Sequence, residues 1–69
     1  MDILAERLLL LRKERNLRQA DVAMRLGIGV YTYQRYEYGQ REPTAPLLRT
    51  IADFYGVSAD YLLGRSDER

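Results

Sequence analysis

Residues 19–38 read QADVAMRLGIGVYTYQRYEY and contain two short helical patterns joined by glycines. In the first pattern, Val22 and Leu26 are four residues apart, the spacing of a helix face that packs on a core. Gly27 follows directly, and glycine adopts the left-handed conformation that ends a helix without steric cost. The second pattern covers residues 30–38. The segment therefore predicts two short helices connected by a tight turn.

A helix-turn-helix motif fits this segment at each position that the motif restricts. The first helix of such a motif carries a small side chain where the two helices cross, and Ala23 lies there. The turn begins with a residue that tolerates a positive φ, and Gly27 does so. Apolar contacts between the helices would come from Val22, Leu26, Ile28, Tyr33 and Tyr36. We therefore predict a helix-turn-helix with both of those tyrosines in the core.

Three further helices are expected around this motif. Helix 1 covers about residues 2–15, with leucines recurring at i, i+4 and i+7 on one narrow face. Helix 4 covers about residues 45–55, and a short helix 5 covers 59–63. β-branched residues never alternate over a strand length, so strands are not expected. The sequence predicts an all-α domain over residues 1–64 and a polar C-terminal tail, 65–69, that frays.

Composition excludes several kinds of catalytic and metal site. The chain has 69 residues, which is enough for one domain, and it contains no Cys, His or Trp. A disulfide, a zinc finger and any Cys- or His-based mechanism are therefore excluded. Asp53 and Asp60 have no partner placed for acid–base catalysis. We expect no enzyme activity, no cofactor and no metal.

The N-terminal half gives no sign of a membrane or export segment. The longest apolar run is Leu8–Leu11, far short of the roughly 20 residues that cross a bilayer. Charged residues bracket the start of the chain at Asp2, Glu6 and Arg7, which does not fit a signal peptide. We expect a cytoplasmic protein with no membrane partner.

The charged residues are unevenly distributed, although the net charge is only +1. Residues 1–50 carry nine basic and six acidic side chains, whereas residues 51–69 carry two basic and four acidic ones. Ten of the eleven basic residues are arginine, whose forked guanidinium suits phosphates and guanine edges. This distribution fits a nucleic-acid partner, and it also fits an ordinary solvated surface.

Several short motifs resemble those of one known family. They are Leu17-Arg18-Gln19, Ala23–Ile28, Arg35–Pro43, Tyr55–Ser58 and Asp60–Gly64, together with Leu8, Leu11, Arg12, Leu48, Ile51 and Ala52. From about Leu4 to Leu63 the chain is similar to the Cro and phage-repressor family of XRE-type helix-turn-helix domains. The resemblance implies a compact five-helix, lambda-repressor-like domain with the helix-turn-helix at helices 2 and 3. It also implies a homodimer on partly palindromic double-stranded DNA and a role in transcription control, most often repression.

Helix 3 would lie in the major groove, which admits an α-helix and presents a distinct donor and acceptor pattern for each base pair. The resemblance places base contacts at its exposed positions, Val30, Tyr31, Thr32, Gln34 and Arg35. Arg35 is the best single candidate, because its fork can bond guanine O6 and N7 together. The alternative for Arg35 is a surface arginine paired with a neighbouring acid. Tyr31 and Thr32 could also be surface residues without a base contact.

The resemblance places a phosphate contact at Gln19, at the start of helix 2, where free backbone N–H groups also attract an anion. Further phosphate contacts are expected beside the groove from Arg18, Tyr38, Gln40 and Arg41. Arg41 could instead be a solvated loop cation. Two residues depart from the family pattern, since Arg18 and Gly29 stand where Ser or Thr usually caps a helix.

Two further sets of residues have structural roles in the family. In relatives, the positions of Arg12 and Glu37 hold a partly buried ion pair between helix 1 and the end of helix 3. Relatives associate near the C-terminus, so the dimer-interface candidates are Val57, Tyr61, Leu62 and Leu63. The last two could instead close the monomer core. A second candidate surface is the apolar strip formed by Ile3, Leu9 and Leu10 on helix 1.

These observations support a sequence-specific DNA-binding transcriptional regulator that acts as a homodimer. The alternative is a protein-binding adaptor, antitoxin-like or anti-repressor, on the same scaffold. The low net charge and the four tyrosines within Tyr31–Tyr38 favour that alternative, because tyrosine is common in protein interfaces. Measuring the affinity for duplex DNA at two salt concentrations separates the two hypotheses, because binding through several phosphates weakens steeply as the salt concentration rises.

Overall fold

Five α-helices joined by short turns build the structure, a computed structural model that describes residues 2–69. They are α1 (Ile3–Glu14), α2 (Gln19–Leu26), α3 (Val30–Glu37), α4 (Ala45–Tyr55) and α5 (Ala59–Leu63). No β-strand occurs within residues 2–69, so the predicted all-α class is confirmed. The predicted bounds agree to within one residue. Helices α1 and α3 are shorter than predicted because Asp2, Arg15 and Tyr38 are their caps.

Local signals set the ends of the helices. Asp2, Thr44 and Ser58 each accept a hydrogen bond from a first-turn backbone N–H of α1, α4 and α5, at 2.9, 3.4 and 3.0 Å. Gly27 ends α2 with a φ of 73°, a conformation that strains residues with a side chain. The N-cap of α3 is Gly29, which has no side chain to accept a capping hydrogen bond. Backbone conformation, rather than a capping side chain, therefore sets the turn between α2 and α3.

The core lies where α3 packs against α1 and α2, and where α5 packs against α1 and α4. Tyr33 and Tyr36 of α3 are buried, as predicted from the sequence. The Tyr33 hydroxyl lies 2.9 Å from the Tyr55 hydroxyl of α4, so both phenols are hydrogen-bonded inside the core. Burial raises the pKa of both phenols, and both stay neutral at physiological pH. This packing determines which side of α3 faces the solvent.

The C-terminal tail, residues 65–69, folds back over α1. Arg7 donates to the Ser66 carbonyl at 2.6 Å and to Asp67 Oδ1 at 2.8 Å. Arg69 forms a two-point ion pair with Glu14, at 2.8 and 2.6 Å. The tail, which was expected to fray, thus makes specific contacts with α1. The tail is held by α1 residues far away in the sequence, and its own composition carries no sign of them.

Candidate nucleic-acid interface

One side of α3 faces away from the core. Tyr33 and Tyr36 occupy the inner side, whereas Val30 and Tyr31 are exposed, Tyr31 by 69%. The other predicted base contacts are half-buried residues of the same helix, Thr32, Gln34 and Arg35. All five predicted base contacts therefore lie on α3 with surface accessible to solvent.

Within residues 2–69, Arg35 has no acidic partner. The five ion pairs found within residues 2–69 do not include it, so pairing with a neighbouring acid, the alternative considered from the sequence, is not seen. Its guanidinium carbon lies over the Tyr31 ring, 5.8 Å from the ring centroid. A cation within about 6 Å of an aromatic face is attracted by the ring quadrupole. The N–H donors of Arg35 stay open to an acceptor.

Gln19, the first residue of α2, is hydrogen-bonded to α3. Its Oε1 accepts from the Gln34 amide at 3.1 Å, and its Nε2 donates to Glu37 Oε1 at 3.2 Å. The same Nε2 lies 3.4 Å from the Tyr38 hydroxyl. A predicted phosphate contact and a predicted base contact are thus joined directly, and each side chain limits where the other can point.

Arg12 and Glu37 form a two-point ion pair between α1 and the end of α3. Arg12 Nε lies 2.7 Å from Glu37 Oε2, and Nη2 lies 3.0 Å from Oε1. The third donor, Nη1, bonds the Leu17 carbonyl at 2.9 Å, in the turn before α2. Burial raises the pKa of Glu37, but hydrogen bonds from Arg12, Tyr33 and Gln19 outweigh it and lower the pKa overall. Glu37 is therefore an ionised carboxylate that holds three helices together.

The predicted phosphate contacts differ in how open they are. Arg18 is 83% exposed, but its guanidinium already binds the Asp21 carboxylate at 3.0 and 3.1 Å. Asp21 Oδ2 also accepts from the Arg18 backbone N–H at 2.9 Å and so caps the start of α2. Tyr38, Gln40 and Arg41 are exposed at the end of α3 and in the turn after it. These three present polar side-chain atoms to the solvent.

A family model described as helix-turn-helix matches residues 8–62, a range that contains α2, α3 and α4 in full. The chain belongs to the XRE-type helix-turn-helix family. The family inferred from the sequence motifs is thereby confirmed. The match also covers the exposed side of α3, Gln19 and the Arg12–Glu37 pair, so the geometry described above lies inside the family domain.

Three relatives illustrate the family. YqaE of Bacillus subtilis, an uncharacterised HTH-type transcriptional regulator, is 44% identical over 59 residues, which cover 84% of this chain and 51% of YqaE. The cryptic phage CTXphi transcriptional repressor RstR of Vibrio cholerae is 40% identical over 57 residues, 83% of this chain and 51% of RstR. The HTH-type transcriptional regulator AnsR of Bacillus subtilis is 39% identical over 64 residues, 93% of this chain and 55% of AnsR. The chain spans about half the length of the curated relatives it matches.

Two of the four residues predicted to form a dimer interface lie in the core of this XRE-type domain. Leu62 is 0% exposed, and Tyr61 is buried under Arg7, whose guanidinium carbon lies 4.1 Å from the ring centroid. Leu62 therefore fits the alternative drawn from the sequence, in which it closes the monomer core, and Tyr61 lies in the same core. Leu63 is 47% exposed and Val57 is half-buried, so these two keep accessible surface.

Two residues of the apolar strip predicted on α1, Ile3 and Leu9, lie at different places on the domain surface. Ile3 lies beside the end of α5, since a Cβ built on Gly64 would come within 2.6 Å of Ile3 Cγ2. Exposed Ile3 and Leu63 thus flank this glycine at one edge of the domain. Leu9 instead lines a groove of about 160 Å³ between α1 and the end of α3, which Tyr38 also lines.

Sequence reasoning missed some partners of the interface residues, and the missed signals were of two kinds. Asp21 stands three residues after Arg18, a spacing at which helical side chains meet, so this pair could have been found by inspection. Tyr31 and Arg35 share one side of helix 3 in the sequence pattern, and the contact between them follows from that placement. The bond between Gln19 and Gln34 joins two helices, and no local spacing indicates it.

Within residues 2–69, no helix has both the length and the apolar character to span a bilayer. No group of three or more His, Cys, Asp or Glu side chains in that range is placed to hold a metal ion. Every buried side-chain nitrogen and oxygen there has a hydrogen-bond partner.

Proposed function

We propose that this protein is a sequence-specific DNA-binding transcriptional repressor that reads the major groove with α3. The observation that carries the proposal is the Arg35 guanidinium on α3, which is unpaired within residues 2–69. Arg35 lies beside exposed Tyr31, and none of the ion pairs found in that range includes it. An arginine bound to guanine O6 and N7 is the commonest specific contact in the major groove. The relative RstR is a transcriptional repressor, which supports repression as the mode of action.

The dimensions of α3 suit the major groove. A helix with its side chains is about 10–12 Å across, and the major groove of B-DNA is about 12 Å wide. The exposed residues Val30 and Tyr31 stand in the first turn of α3, the part of a recognition helix that meets base edges. Gln40 and Arg41 follow α3, where they can reach the phosphates beside the groove.

Self-association belongs to the same proposal. An eight-residue helix such as α3 reads only a few base pairs, so a single copy has limited specificity. A homodimer on a partly palindromic operator presents two such helices about 34 Å apart. The exposed apolar pair Ile3 and Leu63 supports an interface at the edge of α1 and α5. With DNA as the proposed partner, we place this bacterial or phage protein in the cytoplasm, associated with the nucleoid.

Selection of bound duplexes from a random pool tests the proposal. We expect an enriched motif with two inverted half-sites about 10 base pairs apart, centre to centre. Affinity for that motif should fall steeply between low and high salt, because phosphate contacts release counterions. The Arg65→Ala variant, altered in the tail next to α5, serves as a matched control and should select the same motif. Absence of binding even at low salt would contradict the proposal and favour the protein-binding adaptor.

A further inference from the structure

We propose that Tyr31 is a specificity-determining residue that positions the Arg35 guanidinium for a guanine edge, an inference that rests on the proposed DNA-binding function. The two residues are four apart on α3, so their side chains lie on the same strip of the helix. The Arg35 guanidinium carbon is 5.8 Å from the Tyr31 ring centroid. Tyr31 therefore acts on base choice through Arg35.

Tyr31 has no role in the core that would explain its ring. Its side chain is 69% exposed, in contrast to Tyr33 and Tyr36 on the inner side of the same helix. A large exposed aromatic residue gains little from burial, since most of its surface stays in water. Its contact with Arg35 is the aromatic interaction found for it within residues 2–69. The ring is therefore available as a platform for the cation.

A free arginine side chain is a poor reader of bases until something restricts it. Its rotatable bonds give it a large conformational entropy, which is lost when both donors must meet one guanine. A ring at the correct distance removes part of that freedom before DNA arrives. Preorganisation of this kind raises affinity for the base that the held geometry fits and does little for the others.

The effect of a partner on Arg35 depends on which part of the guanidinium that partner contacts. An aromatic ring attracts a guanidinium through the face of the cation, and the N–H donors at its edge stay open. Arg18 shows the opposite case, because the Asp21 carboxylate accepts from its N–H groups directly. A ring partner thus restricts Arg35 without competing for the atoms that a guanine would bind.

The experiment is a double-mutant cycle on base preference at the base pair that Arg35 reads. That base pair is identified as the one whose preference is lost in selections with Arg35→Ala. We then measure the affinity ratio between guanine and the other bases there for wild type, Tyr31→Leu, Arg35→Ala and the double variant. Leucine keeps the helix, so Tyr31→Leu should lower the guanine preference about two- to fivefold, the size of an exposed cation–π contact. In the Arg35→Ala background, Tyr31→Leu should leave that preference unchanged.

Three further variants and readouts sharpen the test. Tyr31→Phe retains the ring and should retain the preference, whereas Arg65→Ala, in the exposed tail next to α5, should not alter it. Without DNA, the NMR signals of the Arg35 δ-protons should carry a ring-current shift that is present in Tyr31→Phe and absent in Tyr31→Leu. An equal effect of Tyr31→Leu in both backgrounds would overturn the inference, because Tyr31 would then touch the base itself. So would a missing ring-current shift, or a selection in which Arg35→Ala alters no single base pair.

The outcomes distinguish this inference from the function beneath it. If the wild-type protein binds no DNA, the proposed function is wrong. If the wild-type protein selects a clear operator and Tyr31→Leu keeps the guanine preference, only the positioning role of Tyr31 is wrong.

Discussion

Arg12 and Glu37 bind each other through two parallel hydrogen bonds, and the Glu37 side chain is only 2% exposed. A carboxylate removed from water is costly unless charge and hydrogen bonds satisfy it, and here both conditions are met. Gln19 donates to the same carboxylate from α2. The orientation of the helix-turn-helix relative to α1 therefore depends on one buried anion that residues of three helices share.

Removal of one member of this pair should be strongly destabilising. In Arg12→Ala the Glu37 carboxylate keeps its burial and loses its counter-charge, so we expect a loss of about 3–5 kcal/mol in the free energy of unfolding. Urea denaturation followed by circular dichroism measures it. Arg18→Ala is the matched control, because the Arg18–Asp21 pair is exposed, and its unfolding midpoint should barely move. Equal losses in the two variants would contradict the anchoring role of Glu37.

The same carboxylate predicts a dependence of stability on pH. The pKa of Glu37 in the folded protein is lowered from its ordinary value of 4.5, so its ionised form stabilises the fold above that pH. This contribution is lost as the pH falls through the lower, folded-state pKa. We expect the difference in unfolding free energy between wild type and Glu37→Gln to be full at pH 7 and to shrink below about pH 4.5. The other carboxylates are common to both proteins, so a difference independent of pH would show that Glu37 does not titrate in this way.

Gln19→Ala should change more than overall affinity for DNA. Loss of a phosphate contact would weaken binding to all duplexes alike, by about two- to tenfold for one hydrogen bond. Gln19 also accepts a hydrogen bond from the Gln34 amide at 3.1 Å. The Gln19→Ala variant should therefore weaken the base preference at the same base pair whose preference is lost in Gln34→Ala. Titration of operator duplexes altered at one base pair at a time measures both effects. The control is Arg41→Ala, which should weaken binding to all duplexes alike. If Gln19→Ala also weakens binding to all duplexes alike, Gln34 is positioned without the help of Gln19.

Self-association should depend on Leu63. A carboxylate in place of this exposed leucine would be buried without a partner in a dimer, so Leu63→Glu should weaken dimerisation about tenfold or more. Sedimentation equilibrium measures the change, and circular dichroism checks that the monomer stays folded. Leu9→Glu is the control, since Leu9 lines the separate groove beside Tyr38. Loss of the dimer in Leu9→Glu alone would place the interface on that groove.

Helix bounds and the inner side of α3 could be predicted because their signals are local. Thr44 and Gly27 act on backbone atoms within a few residues of themselves, and the result is the same whatever lies across the core. Tyr33 and Tyr36 are three residues apart, so they share a side of the helix in any packing. The helix patterns and these two buried residues followed from short-range geometry.

The C-terminal leucines show where such reasoning ends. Leu62 and Leu63 are adjacent, equally apolar and both in α5, so composition and spacing did not separate core from surface. Packing of α5 against α1 buries Leu62 completely and leaves Leu63 half in water. The structure places Leu62 and Tyr61 in the monomer core, because the packing of α5 on α1 decides which side chains close the core.

The sequence by itself determined the five helices, the glycine turn inside the helix-turn-helix and the family, since each follows from residues close together in the chain. Only the tertiary structure decided which polar groups are already engaged. Gln19 is bound to Gln34, Glu37 is shared among three helices, and the tail is held by Arg7 and Glu14. Hydrogen bonds of this kind require donor and acceptor within about 3 Å and in line. Their formation depends on how separate helices are placed, which short-range patterns do not encode.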